Sequence, residues 1–290
     1  MVSPSPSFSP SPTIFPGSAG SGPIARVAIV LGTRPEAIKL APVIRAFQAD
    51  DRFAVQTILT GQHREMVAQV MDLFGLAGDH DLAIMQPQQT LTDITCKSLQ
   101  GLQRLFTDLD PQLVIVQGDT TTAFAAALAA FYRQIPIGHV EAGLRTDNLF
   151  SPYPEEANRR LISQVAQLHF APTPLAVANL RRSGVVGAVH LTGNTVIDAL
   201  LTVADQHPAC PIVPIAGPER SPLDWSVGRV LLATVHRREN WGEPLTGIAQ
   251  AFLTLLDRFA DTRLVLPLHR NPTVREPLIA ALGDHERVYL

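Results

Sequence analysis

Two acidic residues, Asp119 and Glu141, stand where two successive apolar runs stop. Leu113-Val114-Ile115-Val116 leads into Gln117-Gly118-Asp119-Thr120-Thr121-Thr122, and 135–140 (IPIGHV) leads into Glu141-Ala142-Gly143-Leu144-Arg145. Two carboxylates aimed into one crevice suit proton transfer, with Glu155 and Glu156 following a short loop later. The plainer alternative is that these acids cap helices, as Asp119 easily could, but their position favours the site. The segment between the runs, Ala123–Tyr132 (AFAAALAAFY), reads as a crossover helix. Strand, helix and strand of these lengths make a right-handed βαβ unit whose two strands are parallel and end on the same side. That carboxyl edge is where open α/β sheets bind ligands.

The elements around this pair repeat the same grammar. Arg26–Leu31 (RVAIVL) is expected to be a buried strand, followed by Gly32-Thr33-Arg34-Pro35-Glu36-Ala37-Ile38-Lys39. Glycine permits the tight turn, threonine or the turn backbone can cap, and Pro35 suits the first turn of a helix. The helix amides are then expected to face the crevice, free for a phosphate or carboxylate, with Arg34 and Lys39 adding positive charge. Phe53–Leu59 reads as a second strand ending at a polar loop, 60–66 (TGQHREM), that opens a helix. Leu91–Phe106 reads as a helix, and Leu168–Pro172 and Ala188–Leu191 as later strands. Together these predict a doubly wound parallel sheet. The segment 191–198 (LTGNTVID) reads as a crossing into a second domain, and the Pro-rich His207–Pro222 as a loop. A strand at Arg229–Val235, a helix at Leu245–Phe259 and a strand at Arg263–Leu268 restart the pattern as a second Rossmann-like domain. The expected division is therefore a tail over 1–23, a first domain over 24–195 and the start of a second over 196–290.

Composition narrows the function classes. The formal net charge is −3 over 290 residues, so no global basic field argues for nucleic acid or an anionic membrane surface. No apolar stretch reaches the length of a membrane span. Cys96 and Cys210 form no pairing or zinc-ligand pattern, which fits a reducing cytoplasm. Neither a Walker loop nor a G-x-G-x-x-G fingerprint is present, so the sequence calls for no nucleotide cofactor and no metal. Residues 1–23 are rich in serine and proline, lack the basic start and apolar core of a signal peptide, and read as a disordered tail.

Eight segments in order carry a resemblance: GTRPEAIKLAPVI (32–44), GQHREM (61–66), QGDTTT (117–122), GHVEAGLRT (138–146), SPYPEEANRRL (151–161), TGNTVIDAL (192–200), HRREN (236–240) and PLHRNP (267–272). Over Val27 to Leu290 the chain resembles the non-hydrolysing UDP-N-acetylglucosamine 2-epimerases. The resemblance implies a GT-B-like fold of two Rossmann-like domains with a cleft between them. It also implies interconversion of UDP-GlcNAc and UDP-ManNAc, supplying ManNAc for cell-surface polysaccharide, by a cytoplasmic homodimer. The family route eliminates UDP across C1–C2 to leave a 2-acetamidoglucal and then adds UDP back. Asp119, Glu141, Glu155 and His236 match its catalytic positions, and Arg34 and Lys39 its substrate contacts. Gln62, His63 and His269 match loops associated in bacterial members with a second, activating UDP-GlcNAc. Val235 stands where family members often carry a small residue, and Gln117 precedes Gly118; neither difference removes a catalytic group.

The family's C-terminal domain continues past Leu290, through a DSGG-type loop that grips the uridine diphosphate. The expectation is of an incomplete second domain, poorly folded over 223–290, and of a chain that is not by itself an active epimerase. The other readings are a GT-B glycosyltransferase, which would have no use for three acids together, and an inactive sugar-nucleotide-binding remnant.

Overall fold

A computed structural model describes residues 24–62, 64–86, 88–206, 209, 223–237 and 240–290. The expected tail, His63, Cys210, nearly all of the 207–222 loop, and Arg238 and Glu239 of HRREN lie outside the described residues. The chain divides into two compact units after Gln206.

The first unit alternates strand and helix from end to end. Its strands are β1 Ala25–Leu31, β2 Phe53–Leu59, β3 His80–Asp81, β4 Leu113–Gln117, β5 Ile137–Val140, β6 Leu168–Ala171 and β7 Ala188–Leu191. Its helices are α1 Arg34–Gln48, α2 Arg64–Leu73, α3 Leu91–Leu109, α4 Thr121–Tyr132, α5 Glu155–Val165, α6 Pro174–Arg182 and α7 Thr195–Asp205. All strand pairs are parallel, in the order β3-β2-β1-β4-β5-β6-β7. The order reverses between β1 and β4, so the topological switch point falls beside the Gly32 and Asp119 turns, where a doubly wound sheet opens its ligand crevice.

Period-two alternation splits the core cleanly. Val27, Ile29 and Leu31 of β1 pack toward α1, α2 and α7, whereas Ala28 and Val30 pack toward α3, α4 and α5. Helix α4 has almost no polar face, and its alanines at 123, 125, 126, 127, 129 and 130 are all buried. Small side chains let it lie close to α3 and α5 over the middle of the sheet. Its cap is Thr120, whose Oγ1 accepts from the Ala123 amide at 3.0 Å, and Asp119 takes no part in capping.

Segment 191–198 does not lead out of the unit. Asn194 caps α7, which turns back and buries Ala199 against the α1 side of the sheet. The two-residue strand β3 is too short to carry a period and was not anticipated.

In the second unit, β8 Arg229–Leu232, β9 Thr262–Val265 and β10 Val288–Tyr289 form a parallel sheet in the order β10-β9-β8. Helices α8 Glu243–Arg258 and α9 Pro272–Leu282 cover it, and Leu245, Leu256, Leu264, Val274, Leu278 and Leu282 are buried. The described residues have a packed core of their own, in which two amphipathic helices supply the apolar faces this short sheet needs. No helix among the described residues is long and apolar enough to cross a membrane.

Candidate active site

Strand register brings the acids together. Gln117 pairs with Val140, so Asp119 lies two residues beyond the end of β4 and Glu141 one residue beyond its neighbour β5. Gly118 turns the first strand end at φ +70°, while Glu141 itself adopts φ +64°, a left-handed conformation that costs a non-glycine residue on the order of 1 kcal/mol. The carbonyl of Gly118 accepts from Nε2 of the buried His139 at 2.7 Å. Burial pushes the His139 imidazole down to about 4, so the ring is neutral at pH 7 and donates through Nε2–H.

Asp119 is held from α5. Its carboxylate pairs with the Arg159 guanidinium, and its carbonyl oxygen accepts from Asn158 Nδ2 at 2.9 Å. Burial pushes the Asp119 carboxyl above the usual carboxylate range; Arg159 opposes that push, and the charges of Glu141 and Glu155 add to it. Glu155 opens α5 and is half-buried. Glu156 is fully buried, accepting from the Thr146 amide at 3.0 Å and from Arg160 Nε at 2.6 Å, and its Oε2 lies 3.3 Å from the Arg159 guanidinium that also pairs with Asp119. Of the two adjacent glutamates, then, Glu155 acts on Asp119 through its charge, whereas Glu156 braces the loop after β5 and the arginine that holds Asp119.

Glu141 is surrounded by donors. Lys39 Nζ lies 2.7 and 2.6 Å from its two carboxylate oxygens, Gln117 Nε2 donates to Oε2 at 2.5 Å, and Asn194 Nδ2 to Oε1 at 2.8 Å. Lys39, expected to meet substrate, is thus already paired with a catalytic candidate. Arg34 is exposed at the first position of α1.

The turn itself departs from expectation. The Gly32 and Thr33 amides do not await a phosphate: both donate to Oε2 of the fully buried Glu36, at 2.9 and 2.7 Å. Glu36 Oε1 accepts from Thr120 Oγ1 at 2.6 Å, so one carboxylate ties the β1–α1 turn to the residue after Asp119. A glutamate three positions after the cap satisfies these orphan amides from within the helix, which is why the anion there is the protein's own. A side chain at Gly32 would place a Cβ 2.2 Å from Thr60 Oγ1, so only glycine lets the turn pass this close to the next strand end.

Gln62 Oε1 accepts from Thr122 Oγ1 at 2.8 Å, in the first turn of α4. In the second unit, His236 and His269 are exposed and their rings stack, centroids 6.2 Å apart at 22°. His269 Nδ1 accepts from the Asn271 amide at 3.1 Å. The two histidines, assigned from sequence to different sites, are neighbours. Sequence reasoning missed Arg159, Asn194, Glu36 and His139. Arg159 had a visible signal, three positions after Glu156 on the same face of one helix, and the two pair at 3.3 Å.

Comparison with known proteins identifies the family. A family model described as UDP-N-acetylglucosamine 2-epimerase matches residues 45–290. The chain is 46% identical over 266 residues to the UDP-N-acetylglucosamine 2-epimerase of Salmonella typhimurium, covering 91% of this chain and 71% of that protein. It is 44% identical over 266 residues to the Bacillus subtilis enzyme, covering 91% and 68%. A crystal structure of the Neisseria meningitidis UDP-GlcNAc 2-epimerase bound to UDP-GlcNAc superposes with a TM-score of 0.80 at 44% identity, over 91% of this chain and 71% of that one. The Staphylococcus aureus MnaA–UDP complex superposes with a TM-score of 0.78 at 39% identity, over 92% and 68%. By sequence and by fold alike, this chain belongs to the UDP-N-acetylglucosamine 2-epimerase family.

Proposed function

We propose, against the expectation of an inactive fragment, that the chain interconverts UDP-GlcNAc and UDP-ManNAc, with Asp119, Glu141 and Glu155 moving the protons. The sugar C2–H is too weakly acidic to be removed alone. In the proposed route a carboxylate takes that proton as the C1–O bond breaks, and UDP leaves with the bonding pair. The remaining 2-acetamidoglucal then receives a proton at C2 on the opposite face while UDP oxygen re-forms the bond at C1. Proton delivery to either face calls for more than one proton-carrying group, and a general acid works best with a pKa near the operating pH. The observation that carries this reading is the convergence of Asp119, Glu141 and Glu155, with Asp119 pushed toward its protonated form by burial and by its acidic neighbours.

Arg34 is the proposed partner of the diphosphate, whose charge must be matched as it departs. Lys39 is proposed to hold Glu141 first and substrate second, given its position on both carboxylate oxygens. His236 completes the proposed catalytic set. The assignment of Gln62, His63 and His269 to a second UDP-GlcNAc site, a homodimeric state and a cytoplasmic setting belong to the same proposal. Incubation with UDP-GlcNAc and no acceptor tests it: UDP-ManNAc is the expected product, and sugar transfer only when an acceptor is added would favour a glycosyltransferase instead.

A further inference from the structure

We propose that Asn194 is a positioning residue for the reaction, holding the Glu141 carboxylate by one oxygen while Gln117 holds the other. This rests on the reading of Glu141 as a reacting group.

The side chain of Glu141 is 10% exposed and meets three residues that donate to it. Lys39 spans both oxygens and supplies charge, but an ammonium on a four-carbon stem is a rotatable point donor that leaves the carboxylate plane free. The two amides do what the lysine cannot. Gln117 donates to Oε2 at 2.5 Å from the end of β4, and Asn194 donates to Oε1 at 2.8 Å from the start of α7. One planar donor on each oxygen, from two different elements, fixes both the position and the tilt of the carboxylate.

Asn194 is suited to this because each half of its amide has a separate task. Its Oδ1 accepts from the Val196 amide at 3.0 Å as the cap of α7. That contact identifies the oxygen, and hence places the NH2 group against Glu141. Aspartate or serine would cap the helix about as well as asparagine. Aspartate has no hydrogen to donate, and serine has one shorter-reaching oxygen for both tasks where asparagine has two separate atoms. The side chain that the helix alone would tolerate is therefore different from the side chain that Glu141 requires, and this separates a positioning role from a structural one.

Substitutions at 194 test the proposal on the full chain. N194S keeps a capping oxygen and loses the amide donor. Its kcat should fall roughly ten- to a hundredfold, the usual worth of a hydrogen bond to a charged group, with KM changed less than about twofold. Wild-type turnover by N194S, in a background where E141Q is inactive, would overturn the proposal while leaving the site assignment intact. Wild-type turnover by E141Q would instead remove the functional reading on which the proposal rests.

A second measurement needs no turnover. N194D sets two carboxylates against each other, and E141Q places an NH2 group against a donor whichever way its amide turns, because Asn194 holds one oxygen and Gln117 the other, so each single variant should lower the thermal midpoint. N194D/E141Q restores a donor–acceptor pair with its polarity reversed and should recover most of both losses. Additive shifts, with no recovery in the double variant, would show that the contact does not hold Glu141 and would overturn the proposal.

Discussion

Glu155 and Glu156 are chemically identical neighbours with opposite roles, and helix geometry separates them. A rotation of about 100° per residue turns Glu156 into the core, where Thr146, Arg160 and Arg159 take its oxygens, and leaves Glu155 half-exposed with its charge acting on Asp119. At the same scale, buried His139 makes the first prediction. Its native ring stays neutral down to about pH 4, whereas in the unfolded chain it protonates near the ordinary histidine value of 6.5. The unfolded state therefore binds more protons between those values, and native stability falls as pH drops through that window, by at most about 1.4 kcal/mol per pH unit from this group. Asp119 and Glu36, whose carboxyls are raised by burial, act with the opposite sign, losing stability as pH rises through their native values. Urea denaturation of His139→Gln should show a shallower loss of stability on acidification than the wild type. An unchanged slope would mean the ring is not neutral in the fold.

At the scale of the element, Glu36 shows how a strand–turn–helix unit can be legible while its purpose is misread. GTRPEAIK announces a tight turn and a capped helix, and both are present. The same glutamate that marks the helix start also fills the anion position the turn seemed to offer. Its bond to Thr120 joins residues 84 apart, a contact with no local sequence signature. Glu36→Ala should leave two buried amides and a hydroxyl without an acceptor, at about 1–3 kcal/mol for each group that water cannot reach. A drop in stability of that order, by thermal or urea unfolding, is expected; a change below about 0.5 kcal/mol would show that water replaces the carboxylate.

The same reasoning explains what else was and was not legible. Asp119 and Glu141 stand out because an apolar run stops and a carboxylate begins, a local change of pattern. Arg159 and Asn194, which hold those two acids, lie 40 and 53 residues from them and become visible only when α5 and α7 fold back onto the strand ends. Segment 191–198 reads in sequence as a crossing, whereas α7 folds back onto the first unit, because nothing local to those residues says which core the following helix faces.

At the scale of the whole molecule, two packed units of unequal size should differ in local stability. The seven-stranded sheet of the first is covered on both faces, whereas the second has three short strands and two helices. Fewer buried contacts per unit lower the free energy of local opening. Amide hydrogen exchange should be slowest in β1, β4 and β5 and faster throughout 223–290; equal protection in both units would contradict this.

The central claim is that carboxylates of the first unit remove and return the proton at sugar C2. Incubation of the chain with UDP-GlcNAc in D2O tests it most directly, because deuterium at C2 reports each deprotonation even when turnover is slow. The account predicts C2 deuterium in both UDP-GlcNAc and UDP-ManNAc with the wild type. It predicts almost none with Asp119→Asn, which is isosteric and loses only the proton-accepting charge. UDP-ManNAc formed with its original C2 hydrogen, or wild-type exchange by Asp119→Asn, would contradict it.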